Sequence, residues 1–206
     1  MIRHAKRSYR LGLGTVALVV LGGQGAAAQT PVRVFSSLSA TAPGGDCIAG
    51  PKNPGCSSTP TSEWIATPFV PKGSGLLAYL EVAAVWENGH RGVVVTVVGD
   101  ADGSPAPVAT GLETFTTPLP KVGAKPNPKV KLTSKLHPAL TAGVTYWVVM
   151  APQYDNSLSS WYLSSKDTNA PDISTDDGVT WRSFDTIFGG PEPPYTNLPE
   201  LAVYVE

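Results

Sequence analysis

Residues 141–151, TAGVTYWVVMA, begin as a turn and continue as an apolar run. Side chains alternate across a β-strand, so Tyr146 and Met150 would face one side, while Trp147 and Val149 would face the other. A strand that is apolar on both faces belongs in the middle of a sheet that is covered on both sides. This stretch therefore predicts a central strand within a layered β structure.

The neighbouring segments also follow the two-residue period of strands. Residues 76–86, LLAYLEVAAVW, predict a long strand, and Asn88-Gly89 predicts a hairpin turn into a strand at residues 93–98. Residues 130–136, VKLTSKL, alternate regularly, which predicts that Leu136 points inward. These segments indicate strands, and no helical periodicity is found outside the N-terminal region.

Turn-forming residues separate the predicted strands. The chain has 20 prolines and 21 glycines in 206 residues, and the prolines cluster between the apolar segments. Many short strands joined by such turns are typical of two packed sheets. We predict an all-β fold, a two-sheet antiparallel β-sandwich with jelly-roll topology.

Residues 1–28 have the pattern of an export signal. Basic residues between Arg3 and Arg10 precede the apolar run 11–21, and Ala26-Ala27-Ala28 suits cleavage. The apolar run is shorter than the about 20 residues that span a membrane. We therefore expect a secreted protein with no membrane span after cleavage.

The charge balance argues against a nucleic-acid partner. Residues 1–28 contain four of the 15 basic residues and none of the 16 acidic ones, so residues 29–206 carry a net charge of −5. Proteins that bind nucleic acids favour a basic face.

The chain divides into three predicted parts. The signal is followed by a loop-rich segment, residues 29–61, in which residues 40–61 are expected to be loop, and by a β-sandwich domain, residues 62–206. Cys47 and Cys56 are the only cysteines. In an exported chain they predict one disulfide bond that holds this loop.

The order of these signals resembles that of the bacterial exported domains called choice-of-anchor R. The resemblance covers residues 68–206, and its most specific parts are Gly103-Ser104-Pro105, the segment AGVTYWVV at residues 142–149, and DGVTW at residues 177–181. It implies a small β-sandwich of unknown biochemical activity, displayed on or released from the cell. Family members often end in an anchor, whereas this sequence ends on its predicted last strand at Glu206, so we expect free secretion.

Sequence motifs for catalysis are missing. The chain has no G-x-S-x-G, H-E-x-x-H, P-loop or G-x-G-x-x-G motif. His90 and His137 lack a visible partner, and Glu81 and Glu113 on predicted strands are explained by solvated faces. We therefore expect no catalytic residues, although an extracellular carbohydrate-active enzyme of glycosidase or lyase type remains the alternative.

Two clusters of acidic residues are candidate metal-binding sites. Asp100 and Asp102 before Gly103 resemble the start of a calcium loop, but position 12 of such a loop is Gly111 and not glutamate. A plain turn explains the same residues. The second cluster is Asp172, Asp176 and Asp177, where a solvated turn is again the alternative.

Aromatic residues in the C-terminal third are the predicted ligand contacts. Rigid rings in loops can stack on a sugar or a partner protein. The candidates are Tyr154, Trp161, Tyr162, Trp181 and Tyr195, whereas Trp86 and Trp147 are expected in the core. Packing over a sheet edge is the alternative for Trp161 and Trp181. The sequence thus predicts a secreted, non-catalytic module of adhesion, matrix or glycan-contact type, whose partner would be a glycan or a cell-surface protein.

Overall fold

The computed structural model describes residues 29–40, 44–53, 62–166, 171–183 and 197–206. These residues form fourteen strands and one 3-10 turn, Val108–Thr110. The strands are β1 Val32–Ser36, β2 Gly45–Ala49, β3 Trp64–Phe69, β4 Gly75–Asn88, β5 Gly92–Ala101, β6 Ser104–Pro105, β7 Glu113–Pro118, β8 Lys129–Thr133, β9 Ala139–Leu140, β10 Tyr146–Pro152, β11 Leu158–Tyr162, β12 Asp172–Ser174, β13 Arg182–Ser183 and β14 Leu201–Val205.

The strands form two antiparallel sheets. The first has the order β1-β14-β4-β11-β2, with β8 and β9 also paired to β4. The second has the order β13-β12-β3-β10-β5-β6, with β7 also paired to β5. The predicted all-β, two-sheet antiparallel architecture is confirmed, whereas the jelly-roll topology stays a prediction.

Strand β10 is the centre of the second sheet. It pairs with β3 on one side and with β5 on the other. Tyr146 and Met150 pack into the main core between the sheets, while Trp147 and Val149 pack into a separate apolar cluster on the opposite face. The predicted two-sided burial of this strand is confirmed.

The second cluster lies on the outer face of the second sheet. Trp147, Val149, Ala66 and Val98 are buried there, and the partly buried residues packed against them are Trp64, Ala106, Val108 and Trp181. Val108 comes from the 3-10 turn, and Trp181 directly precedes β13. Short connecting segments therefore provide the cover that a strand with two apolar faces requires.

Strand β4 organises the first sheet because it is long enough to pair with several strands. Residues 77–82 pair with β14, and residues 84–88 pair with β11. The register with β14 shifts between Tyr204 and Val205. Such an irregularity changes which face the following side chains occupy, and Leu77, Leu80 and Val82 all reach the main core.

The predicted hairpin at Asn88-Gly89 is wrong. The turn forms, with Gly89 at φ 69°, but β4 belongs to the first sheet and β5 to the second. The connection therefore crosses from one sheet to the other. The sequence signal for a tight turn specifies local backbone conformation and does not identify the strands that pair.

Two further predictions are corrected. Residues 45–49, expected to be loop, form β2 and pair with β11, so the first sheet includes part of the segment 29–61. Leu136 is 70% exposed rather than inward, because β8 ends at Thr133 and the strand period no longer applies.

Two buried glutamates connect loops to the sheets. Glu113 on β7 accepts hydrogen bonds from the Ser134 hydroxyl and from the backbone NH groups of Lys135 (2.6 Å) and Leu136 (3.2 Å). It therefore ties the second sheet to the segment that follows β8 in the first sheet. The expectation that a solvated face explains Glu113 is wrong, since its side chain is buried.

Glu200 is the second such residue. One carboxylate oxygen accepts from the backbone NH of Ser39 (3.0 Å), and the other accepts from the Asn127 side-chain amide (2.7 Å). Its own carbonyl oxygen accepts from the indole NH of Trp161 (2.9 Å). This one residue joins three segments that are distant in sequence.

Asp46 and Glu63 form a different kind of buried pair. Asp46 shares its face of β2 with the core residue Ile48, and Glu63 is bridged to Ala49 at the end of that strand. Oδ2 of Asp46 has no hydrogen-bond partner, and neither carboxyl has an ion-pair partner among the described residues. Burial raises the pKa of Asp46 to about 7, with a further contribution from the Glu63 carboxyl, and burial also raises the pKa of Glu63 to about 7.

These pKa values predict a loss of stability towards alkaline pH. A carboxyl with a raised folded-state pKa contributes stability that is fully present below its unfolded pKa, about 4, and lost as the pH rises through about 7. Asp46→Asn should therefore raise the free energy of unfolding at pH 8 by on the order of 3 kcal/mol and change it little at pH 4. Chemical denaturation at both pH values measures this effect. Asp102→Asn, in an exposed turn, is the control, and an Asp46→Asn variant with the pH dependence of the wild type would contradict the account.

Candidate functional site

Trp161, a predicted ligand contact, is a core residue. Its side chain is 0% exposed, packs in the main core, and donates its indole NH to the Glu200 carbonyl. The ring has no free face for a ligand. Neither ligand contact nor packing over a sheet edge describes this ring, because β11 lies between β2 and β4 and turns the side chain towards the interior of the sandwich.

The other aromatic candidates have different surroundings. Tyr162 is half-buried on the outer face of the first sheet, where it packs against Leu38, Ala83 and Ala202. Trp181 is half-buried over the second apolar cluster. Tyr195 lies outside the described residues. Tyr162 and Trp181 thus cover sheet faces, and the structure does not bring them together with Tyr154 in one site.

The first pair of acidic candidates, Asp100 and Asp102, lies in a turn. One carboxylate oxygen of Asp100 accepts from the indole NH of Trp147 (2.8 Å), and the other accepts from the backbone NH of Gly103 (3.1 Å). Asp102 is exposed with φ 54°. Both oxygens of Asp100 are therefore engaged in holding a turn beside the second apolar cluster. Calcium binding there stays a prediction.

The second acidic cluster is divided between two environments. Asp176 accepts from the backbone NH and hydroxyl of Thr180 and from the hydroxyl of Ser174, and the bonds from Thr180, followed by that from Ser174, lower the pKa of Asp176 to about 2. Burial raises the pKa of Asp172 to about 6. In the described part of the chain, no three histidine, cysteine or acidic side chains are grouped to hold a metal ion.

Tyr154 is a predicted ligand contact whose side chain is exposed to solvent. It lies in the connection between β10 and β11, and its side chain is 46% exposed. Its ring contacts the ring of His90 in the connection between β4 and β5, with centroids 4.7 Å apart and planes tilted by 38°. We call this region the Tyr154 end of the sandwich: residues 50–53, 89–92, 116–118 and 153–157.

Close backbone packing supports the connection that carries Tyr154. A Cβ atom on Gly50 would overlap the backbone of Tyr154 and Asp155, and one on Gly89 would overlap the carbonyl oxygen of Asn156. Gly89 also has φ 69°, which glycine adopts without steric cost. Only glycine permits this approach at both positions.

Hydrogen bonds hold the same connection from two strands. The NH of Gly50 donates to the carbonyl of Ser157 (3.0 Å), and the NH of Lys52 donates to the carbonyl of Asp155 (2.7 Å). On the other side, the NH of Gln153 donates to the carbonyl of Gly92 (3.1 Å). The Tyr154 ring is therefore presented from a fixed backbone, which reduces the ordering cost of binding.

Two depressions share His90, Gln153 and Tyr154. The first has a volume of about 440 Å³ and is completed by Lys52, Asp155 and Asn156. The second has a volume of about 340 Å³ and is completed by Arg91, Gly92, Thr116, Thr117 and Pro118. Amide, hydroxyl and charged groups thus surround an exposed aromatic ring, an arrangement that can hydrogen-bond a polar ligand while the ring contacts its apolar face.

Sequence reasoning found Tyr154 but missed its surroundings. His90 was considered only as a catalytic residue, and Arg91, Gln153 and Asn156 carried no motif. The available signal was composition: a glycine on each side of His90-Arg91 indicates a sharply bent connection. Its proximity to residue 154 depends on the sheet topology, which the sequence did not reveal.

Gly89→Ala should disturb the Tyr154 end specifically. The left-handed backbone alone costs about 1–2 kcal/mol, and the overlap with Asn156 adds to it. Gly103→Ala is the matched control, because Gly103 has φ 85° but open space around it. NMR chemical shifts of Tyr154 and His90 should move only in Gly89→Ala. Equal shifts in both variants would contradict the tight packing described here.

The remaining findings concern relationships and membranes. No helix in the described ranges is long and apolar enough to cross a bilayer. Comparison with known proteins found no matching family model, no similar curated protein and no similar solved structure. The fold and the Tyr154 end therefore carry the functional argument.

Proposed function

We propose that this protein is a secreted, non-catalytic β-sandwich module that binds a glycan on a cell or matrix surface through its Tyr154 end. The observation that carries the proposal is the exposed Tyr154 ring, held against His90 between two open depressions. Tyrosine combines an apolar ring with a polar tip and is enriched at interfaces, so an exposed Tyr154 ring on a fixed backbone supports a contact role.

The chemistry of the depressions supports a saccharide as the ligand. A sugar ring presents hydroxyl groups around its edge and C–H groups on its faces. Gln153 and Asn156 can both donate and accept hydrogen bonds, as can the hydroxyls of Thr116 and Thr117. Tyr154 supplies the apolar surface for the C–H face.

Binding is proposed here rather than catalysis. Glycosidases generally use two carboxyl groups that flank the scissile bond, about 5–9.5 Å apart. Each of the two depressions at the Tyr154 end is lined by at most one carboxyl, that of Asp155, which is paired with Lys52 at 2.8 Å. Asp46 and Glu63 are buried towards the core, away from these depressions.

Secretion and the disulfide belong to the same proposal. The export pattern lies in residues 1–28, outside the described residues. Cys47 lies on β2, and its predicted partner Cys56 also lies outside them. The resemblance to choice-of-anchor R domains likewise stays a prediction.

Tyr154→Ala should weaken glycan binding at least tenfold, because removing the ring removes its stacking surface, worth about 1.4 kcal/mol or more. Its melting temperature should change little, since the side chain is exposed. Tyr154→Phe, which keeps the ring, is the matched control and should retain most of the affinity. A glycan array identifies the ligand, and calorimetry then compares the three proteins. Failure of the intact protein to bind any glycan, or undiminished binding by Tyr154→Ala, would refute the proposal.

A further inference from the structure

The two depressions at the Tyr154 end differ in charge. In the larger one, Lys52 is neutralised by Asp155 at 2.8 Å. The smaller one, which we call the Arg91 depression, contains Arg91 and His90, and none of the described residues that line it carries a carboxyl group. Arg91 is exposed and has no ion-pair partner within the residues that the structure describes.

The nearest acidic residue along the chain is directed elsewhere. Glu87 lies four residues before Arg91, and its carboxylate accepts from the hydroxyl of Ser160 in the first sheet. The Arg91 depression therefore keeps an uncompensated guanidinium in a protein whose net charge over residues 29–206 is −5. An overall attraction to anions is absent, so any preference for an anion must arise from this local charge.

The backbone around the Arg91 depression is fixed. The carbonyl of Arg91 accepts from the NH of Leu119 (2.8 Å), and the NH of Gln153 donates to the carbonyl of Gly92 (3.1 Å). The Arg91 side chain thus extends from a held backbone position, and Arg91 lines the same depression as Tyr154. A planar guanidinium binds carboxylates through two parallel hydrogen bonds, which gives both strength and orientation.

We propose that the Arg91 depression binds a carboxylate-bearing saccharide such as a uronic acid unit, with the carboxylate on Arg91 and the sugar ring against Tyr154. This inference rests on the proposed function and names its ligand class. Gln153 and Thr116 lie within the same depression and supply hydrogen-bonding groups for the sugar hydroxyls. The volume of about 340 Å³ lies within the range of small-ligand sites.

Calorimetry with two matched trisaccharides tests the inference: a uronic acid trisaccharide and its neutral counterpart, in which each carboxylate is reduced to a hydroxymethyl group. The wild-type protein should bind the acidic trisaccharide at least tenfold more tightly, and 1 M NaCl should reduce this difference because salt screens exposed charges. Arg91→Ala should abolish the preference while neutral binding persists. Arg91→Lys should retain part of it, because lysine keeps the charge but not the planar fork.

Arg182→Ala is the matched control. Arg182 is exposed on β13, at the opposite end of the strand order from β5, and its loss should leave the preference unchanged. Equal affinity for both trisaccharides, or binding of neither, would overturn this inference and leave the proposed glycan binding intact, whereas failure to bind any glycan on the array would overturn both. Polyglutamate that binds as tightly as the acidic trisaccharide, with no loss in Tyr154→Ala, would show simple polyanion binding and overturn the saccharide assignment.

Discussion

The structure depends on the burial of β10 on both faces. Tyr146 and Met150 require the first sheet as a cover, and Trp147 and Val149 require a second cover on the opposite side. The first requirement produces the sandwich. The second explains why short segments around Val108 and Trp181 fold back over the outer face of the second sheet. Asp100 accepts a hydrogen bond from the indole NH of Trp147 and another from the backbone of the turn that follows β5. It therefore stabilises both the second apolar cluster and the turn beside it.

Buried carboxyl groups complete the assembly in two contrasting ways. Glu113 and Glu200 accept several hydrogen bonds each, and these bonds join segments that are far apart in sequence. Asp46 and Glu63 have no such set of partners among the described residues, and burial raises the pKa of both. A buried polar group stabilises a fold only when its hydrogen bonds are satisfied. The first pair therefore holds loops in place, whereas the second pair makes the β2 end of the sandwich sensitive to pH.

The sequence predicted the elements that depend on local periodicity and failed where pairing partners decide the structure. The alternation of β10 and the two-sheet class followed from apolar spacing alone. The pairing of β4 and β5 was wrong because Asn88-Gly89 specifies a bend and not the sheet that the next strand joins. Burial of Trp161 could not be predicted from the sequence. Trp161 pairs with Asp46 on β2, and this strand was not predicted because its region is rich in glycine and proline. The sequence also predicted Tyr154 as a ligand contact but did not predict its contact with His90, which lies 64 residues earlier, because that contact depends on the sheet topology.

Strand β10 is held on every side, since both its edges are paired and both its faces are covered. Native-state hydrogen exchange of its backbone amides tests this most directly. Amides in β10 that bond to β3 and β5 should exchange only through global unfolding, with a free energy equal to that from chemical denaturation. Exchange at residues 146–150 that is as fast as at the exposed residues 154–156 would contradict the account.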